Sequence, residues 1–289
     1  LDHAVEKKML GVIGGTGLYK MEGLQDAEEV SVSTPYGEPS AKILLGTIGK
    51  QRVAFLPRHG EGHRLLPSEI NFRANIWALK TVGVRRILGV SAVGSLRGEI
   101  CPGDLVLSDQ YVDWTRGARA GTFFGDGLVA HVSTANPSCP ALQGFLEAFI
   151  REHKVRLHTG KTYVCVEGPR LGTRAESNAF RTLGFDIVGM TNVPEAFLAR
   201  EAQLCYSSIG IATDYDCWME DPSQHASVDK VMQLYQKNLE KIHYLIRNIA
   251  VIHCSAFTCD CRKSLATAVV SRAEGLSEEL KRRLEFLKI

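Results

Sequence analysis

The segment Pro57-Arg58-His59-Gly60-Glu61-Gly62-His63 gathers a guanidinium and two imidazoles into one short stretch. Arginine presents a planar fork of donors that matches phosphate, and histidine adds donors whose charge can be tuned near neutral pH. His59 and His63 are also spaced as a zinc pair would be on a helix, but the glycines on both sides of Glu61 argue against that helix. No metal is expected there. Gly14-Gly15-Thr16-Gly17 offers converging backbone N–H groups and the Thr16 hydroxyl, again suited to an anion. Counted from Gly15 it lacks the third glycine of a dinucleotide fingerprint, and a tight structural turn is the alternative. Val90-Ser91-Ala92-Val93-Gly94-Ser95 repeats the pattern of small hydroxyl residues and accessible amides at the end of a strand, although alone it reads as packing. Ligands of α/β sheets bind beyond the carboxyl ends of strands, so three such ends together favour a phosphate site.

The second half of the chain carries a different chemistry. Thr213-Asp214-Tyr215-Asp216-Cys217-Trp218 follows an apolar run, and if the chain stays extended, Asp214 and Asp216 face the same side. A helix cap or a surface ion pair would explain these carboxylates equally well. Gly189-Met190-Thr191 sits at the end of a further apolar run.

The elements that must position these residues follow from hydrophobic periodicity. Met9–Ile13 reads as a buried strand entering the glycine loop, and Ala41–Ile48 and Arg52–Leu56 pair across Gly49-Lys50 as a hairpin. The spacing of Ile70, Ala74, Trp77 and Ala78 predicts a helix over about Ser68–Val82, opened by Pro67 or Ser68. Arg86–Val90 and Asp104–Leu107 read as strands, Trp114–Pro140 as a long loop, Pro140–Glu152 as a helix and Thr162–Val166 as a strand. Thr173 with Glu176 forms a capping box for a helix ending near Gly184. Asp186–Met190 and Cys205–Thr213 are strands separated by a helix opened at Pro194, and Ser227 caps a long helix to about Asn248. Alternating strands and helices without a linker predict a single α/β domain over residues 1–289, a mixed central sheet flanked by helices, with a less regular cysteine-containing tail over 251–289.

Composition narrows the partners. A net charge of +2 with interspersed signs argues against a nucleic-acid surface. No apolar stretch approaches the roughly 18 to 20 residues of a membrane span, and Leu1–Lys8 is too polar for a signal peptide, so a cytoplasmic protein is expected. Cys101, Cys139, Cys165, Cys205 and Cys217 are dispersed and read as small buried hydrophobes.

In order along residues 9 to 250, the stretches Ile13-Gly-Gly-Thr-Gly-Leu18, Pro57-Arg-His-Gly60, Asn75-Ile-Trp-Ala-Leu79, Pro102-Gly-Asp104, Glu167-Gly-Pro-Arg170, Arg174-Ala-Glu-Ser177, Met190-Thr191, Pro194-Glu195 and Thr213-Asp-Tyr-Asp-Cys-Trp218 closely resemble the 5′-methylthioadenosine phosphorylase family of purine nucleoside phosphorylases. The resemblance implies phosphorolysis of a thio-substituted purine nucleoside, with inorganic phosphate as co-substrate and no cofactor. It implies phosphate held by Thr16, Arg58, His59, Ser91, Ala92 and Thr191 with His63 nearby, Met190 under the ribose, and Asp214, Tyr215 and Asp216 facing the base. Val228 and Val231, three apart on the Ser227-capped helix, would line the apolar end of the sugar pocket. A homotrimer or homohexamer is implied, in which His131 completes a neighbouring subunit's pocket.

Cleavage with oxocarbenium character requires a proton or strong hydrogen bond at purine N7, and Asp214 is the candidate donor. Accepting from a 6-amino group while donating to N7 suits a carboxyl, whereas an asparagine amide would suit a 6-oxopurine. Leu171-Gly172 departs from the family's usual phenylalanine and serine, giving a base contact without π-stacking or a hydroxyl. Cys259-Asp260-Cys261 is similar to a CXC element in the tails of some archaeal relatives, where such cysteines form disulfides; reduced thiols are the alternative. A zinc site is the least supported reading, because His253, Cys254, Cys259 and Cys261 lack paired spacing. Two other functions compete: a 6-oxopurine or methylthioinosine phosphorylase on the same fold, and a non-catalytic nucleotide-binding module built on Gly14–Gly17.

Overall fold

Every residue of β1 (Met9–Gly14) is buried, as an uninterrupted apolar run flanked by glycines requires of a central strand. In the computed structural model, residues 9–15, 17–18, 23–117, 119–221, 224–251 and 258–288 are described. Thr16, His253 and Cys254 lie outside the described residues.

β1 runs parallel to β4 (Gln51–Pro57) on one side and to β5 (Val84–Ser95) on the other. β4 forms the expected antiparallel hairpin with β3 (Ile43–Ile48), and Gly49 supplies a positive φ of 60° in the turn. β5 continues parallel to β9 (Cys205–Asp214), and its last two residues pair antiparallel with β8 (Ile187–Gly189). β8 is parallel to β7 (Leu157–Val166), β7 to β6 (Leu105–Trp114), and β6 returns antiparallel to β9. Five strands thus close into a ring, from which β1, β4, β3 and the edge strand β2 (Gln25–Val30) extend as an open wing.

Two cores lie on the two faces of this sheet, and strand residues alternate between them. In β1, Met9 and Ile13 pack with α1 (Phe72–Thr81) and α4 (Asn192–Glu201), whereas Leu10 and Val12 pack with α2 (Pro140–Glu152) and α5 (Val228–Val251). The mixed sheet flanked by helices is the architecture expected from the sequence.

Several boundaries move for identifiable reasons. α1 begins at Phe72, because Asn71 Oδ1 accepts the Ala74 N–H at 3.1 Å and caps it three residues later than Ser68 would. β5, β6 and β7 are each longer than the apolar runs read from sequence, since pairing around the closed ring carries them on through half-buried and polar residues. β2, Gln-Asp-Ala-Glu-Glu-Val, has no apolar pattern; it is a charged edge strand that discourages further pairing. α3 (Arg174–Thr182) has both hydrogen bonds of the capping box read from Thr173 and Glu176.

The described residues of the C-terminal segment, 258–288, pack back onto the domain. α6 (Glu278–Lys288) buries Leu287, stacks Phe286 on Trp77 at 4.1 Å, and receives Lys80 Nζ at the Leu287 carbonyl at 3.0 Å. The long loop, now residues 115–139, buries Phe123, Phe124 and Leu128 and sends Arg119 inward.

Candidate active site

The parallel strands β1, β4, β5 and β9 deliver their carboxyl ends to one side of the sheet, where a cavity of about 830 Å³ opens. Gly15, Arg58, His59, His63, Ser91, Ala92 and Thr191 line one part of it. β8 accounts for Thr191: running antiparallel to β5 with Val188 opposite Gly94, it carries Met190 and Thr191 back alongside Ser91 and Ala92. Residues far apart in sequence therefore meet as a compact set of donors.

Arg58 is 1 % exposed, and its guanidinium is largely occupied by the protein. Nε and Nη2 donate to the two carboxylate oxygens of Glu195, both at 2.8 Å, Nη1 to the Val90 carbonyl at 2.8 Å and Nη2 also to that of Ile13 at 3.2 Å. The bidentate fork attributed to phosphate from sequence is turned to Glu195 instead. Of the five guanidinium N–H groups, the cavity is offered one on Nη1 together with the positive charge. Burial disfavours the charged form, but Glu195 beside it more than offsets this and holds the guanidinium above its ordinary pKa.

Glu195 is itself 1 % exposed and also accepts from Tyr206 Oη at 2.8 Å. It has no place in the set of site residues read from sequence. Arg119 was missed as well; its Nη1 donates at 2.7 Å to the carbonyls of both Met190 and Val193, while Nε meets Glu167 at 3.1 Å. It fastens the Met190 strand end to the Glu167 loop. The apolar neighbours of Glu195 in Val193-Pro194-Glu195-Ala196-Phe197-Leu198 were a signal that it is buried and so paired, though not with which residue; nothing local marked Arg119 among the charges of an aperiodic loop.

His59 Nδ1 lies 2.9 Å from the Leu65 carbonyl, which fixes this nitrogen as the donor in the neutral ring and leaves Nε2 as an acceptor. Burial pushes its pKa down to about 4. His63 stacks on it at 4.2 Å and itself has a positive φ of 57°, directly after Gly60 and Gly62, which are both at positive φ.

Asp214 and Asp216, each 6 % exposed, line the same cavity. Thr213 Oγ1 donates to Asp214 Oδ2 and the Asp216 N–H to Asp214 Oδ1, each at 2.7 Å. Burial nevertheless raises the Asp214 carboxyl from 3.8 to about 6, and it raises Asp216 also. The two carboxyls are not brought together by strand alternation: β9 ends at Asp214, and Asp216 sits in a turn at φ 52°. A side chain at Gly94 would come within 3.1 Å of Asp214 Oδ1 and 3.3 Å of Asp216 Cβ, so this glycine makes room for both.

Tyr215 is a correction. It is not among the residues that line the cavity, and its ring meets Trp218 edge-on at 5.7 Å. His131 is also outside the cavity of this chain; it is exposed, with its N–H on the Ala268 carbonyl. Met190, Leu171, Gly172, Val228 and Val231 do line the cavity. A side chain at Gly172 would sit 3.4 Å from Asp216 Oδ2, and Leu171 is 40 % exposed at the rim. Val228 and Val231 share one face of the first turn of α5, where the Lys230 N–H reaches Ser227 Oγ at 3.4 Å.

The lining brings together three kinds of group: a cationic, donor-rich set, a pair of buried carboxyls whose affinity for protons burial has raised, and apolar side chains. It can hold an anion beside one face of a ligand and donate a proton at another.

Comparison with known proteins agrees with this chemistry. Residues 9–249 match the phosphorylase superfamily. The chain is 47% identical to the S-methyl-5′-thioadenosine phosphorylase of Geobacter sulfurreducens over 97% of its own length and 98% of that protein's. Its structure is similar to that of a methylthioadenosine phosphorylase from an antarctic soil metagenomic library, with a TM-score of 0.91, 45% identity and coverage of 98% and 99% of the two chains. A methylthioadenosine phosphorylase from Schistosoma mansoni in complex with adenine superposes with a TM-score of 0.81 at 36% identity, over 86% of this chain and 93% of that one.

Proposed function

The chain belongs to the phosphorylase superfamily and, within it, to the methylthioadenosine phosphorylase family, and from that premise we propose the following division of labour in its cavity. The reaction is phosphorolysis of S-methyl-5′-thioadenosine to adenine and 5-methylthioribose 1-phosphate. An oxygen of inorganic phosphate forms the new bond to C1′ of the ribose as the C1′–N9 bond breaks, the electron pair leaves with the base, and a proton reaches N7.

Arg58 supplies charge, and Ser91, the Ala92 amide and Thr191 supply donors to the phosphate, together with Thr16 from the glycine loop. Neutral His59 accepts the remaining proton of the phosphate through Nε2. An anion held there lies close to the positive charge that grows on the ribose in the transition state. Met190 lies under the sugar, and Val228 and Val231 receive the methylthio group. Asp214 donates to N7 and, through its other oxygen, accepts from the 6-amino group. No cofactor is needed, because phosphate is the nucleophile.

The observation that carries this reading is the presence, in one cavity, of the Arg58–Thr191 donor set and of a carboxyl whose pKa burial has raised to about 6. Val228 at 68 % and Met232 at 41 % exposure leave an apolar mouth open in the single chain. That supports a homo-oligomer, a trimer or hexamer, in which His131 of one copy reaches the pocket of the next. No described helix is long and apolar enough to cross a membrane, and a cytoplasmic location belongs to the same proposal. Phosphate-dependent rates on methylthioadenosine, adenosine and inosine side by side test the substrate assignment; inosine as the best of the three would overturn it.

A further inference from the structure

At the far end of β9 from Asp214, about 30 Å away at roughly 3.3 Å per residue, the fold assembles four cysteines that sequence spacing does not connect. Cys139 caps α2, Cys205 begins β9, and Cys259 and Cys261 come from the short 3-10 turn of the C-terminal segment. All four sulfurs lie within 4.8 Å of one another, and Cys139, Cys205 and Cys261 are buried at 1 %, 6 % and 2 % exposure. Cys139 and Cys205 are therefore not isolated hydrophobes.

We propose that Cys139, Cys205, Cys259 and Cys261 form a structural zinc site, one ion per chain, which clamps the C-terminal segment to the sheet. Four thiolates around zinc at about 2.3 Å place every sulfur pair about 3.8 Å apart, so one tetrahedral ion satisfies all six pairs at once. The separation of 3.3 Å between Cys205 and Cys259 and the common limit of 4.8 Å bracket that value. A disulfide joins sulfurs only two at a time, at about 2.05 Å, and gives no reason for the second pair to crowd the first.

The surroundings favour thiolate at this place. The Cys139 sulfur accepts the Leu142 N–H at 3.5 Å in the first turn of α2, a 13-residue helix whose positive end faces the cluster. The ligands are also fixed before any ion arrives. The Cys139 N–H is anchored on the Tyr206 carbonyl at 2.8 Å, and Ser264 Oγ ties the 3-10 turn to the Arg200 carbonyl at 2.8 Å. Four protein ligands leave no open position, so the ion would stabilise the fold and take no part in phosphorolysis.

The test is metal analysis of tag-free protein purified without chelator. One zinc per chain is expected, retained in Cys101→Ser and lost in the Cys259→Ser, Cys261→Ser double variant. Should that variant fail to fold, wild-type protein produced in cobalt-supplemented medium decides the matter: it should show the intense visible absorption of tetrahedral cobalt thiolate. Wild-type protein with iron in place of zinc, with no metal and two disulfides by mass, or with no metal and four free thiols would each overturn the assignment. So would full zinc content in the double variant.

Discussion

Asp214→Asn keeps the size of the side chain and removes its proton, so it isolates the step assigned to the carboxyl. In the fold, burial outweighs the donors from Thr213 and Asp216 and raises the group from 3.8 to about 6. At roughly 1.36 kcal/mol per pH unit, this makes protonation near neutrality easier by about 3 kcal/mol, or about a hundredfold in the population of the donating form. A positioned proton donor contributes about 10²- to 10⁴-fold, and an amide cannot release its hydrogen to N7. The kcat/KM for methylthioadenosine should fall by about that factor. Methylthioinosine, whose 6-oxo group can accept from the new amide, should lose less than about tenfold. The assay is the initial rate of base release at saturating phosphate between pH 5 and 8. Wild-type log kcat/KM should decline as pH rises above about 6, and the asparagine variant should lose that limb. Equal losses on both substrates with the limb retained would refute the assignment of Asp214 as proton donor.

Glu195→Ala leaves the Arg58 guanidinium buried and unpaired, and urea unfolding should show a loss of about 3 to 5 kcal/mol; a loss below about 1 kcal/mol would mean that Arg58 has another counter-charge. His59 is a base with its folded pKa lowered from 6.5 to about 4, so the folded chain binds fewer protons than the unfolded chain between those values. Its contribution to stability is complete above about pH 6.5 and is lost as pH falls towards about 4, at most about 3 kcal/mol. Asp214 acts in the opposite sense over part of that window, so the comparison is between wild type and His59→Asn in phosphate-free buffer. The variant should lose less stability on acidification, and parallel curves would contradict the neutral state assigned to His59.

The chemistry-bearing residues were legible because they sit in short strings at strand ends, where residue type alone limits what they can do. Arg58, Ser91 and Thr191 converge because β1, β4 and β5 are parallel and β8 returns along β5, an arrangement that alternating strands and helices suggest but do not specify. What could not be read from spacing was pairing at long range. Glu195 lies 137 residues from Arg58 and Arg119 lies 71 from Met190, so no local pattern joins them. The same holds for Cys139 and Cys205, which become neighbours only when α2 docks on β9. Strand alternation was extended past its end in placing Asp216 beside Asp214, since β9 stops at Asp214 and a turn carries Asp216; Tyr215 came only with the resemblance, as part of the string from Asp214 to Asp216.

Product analysis with and without inorganic phosphate tests the central claim most directly, namely that the Arg58–Thr191 recess holds the nucleophile while Asp214 protonates the departing base. Methylthioadenosine should yield adenine and 5-methylthioribose 1-phosphate in equal amounts when phosphate is present, and essentially nothing when it is absent. Adenine released at the same rate without phosphate, accompanied by free 5-methylthioribose, would identify water as the nucleophile and contradict the account.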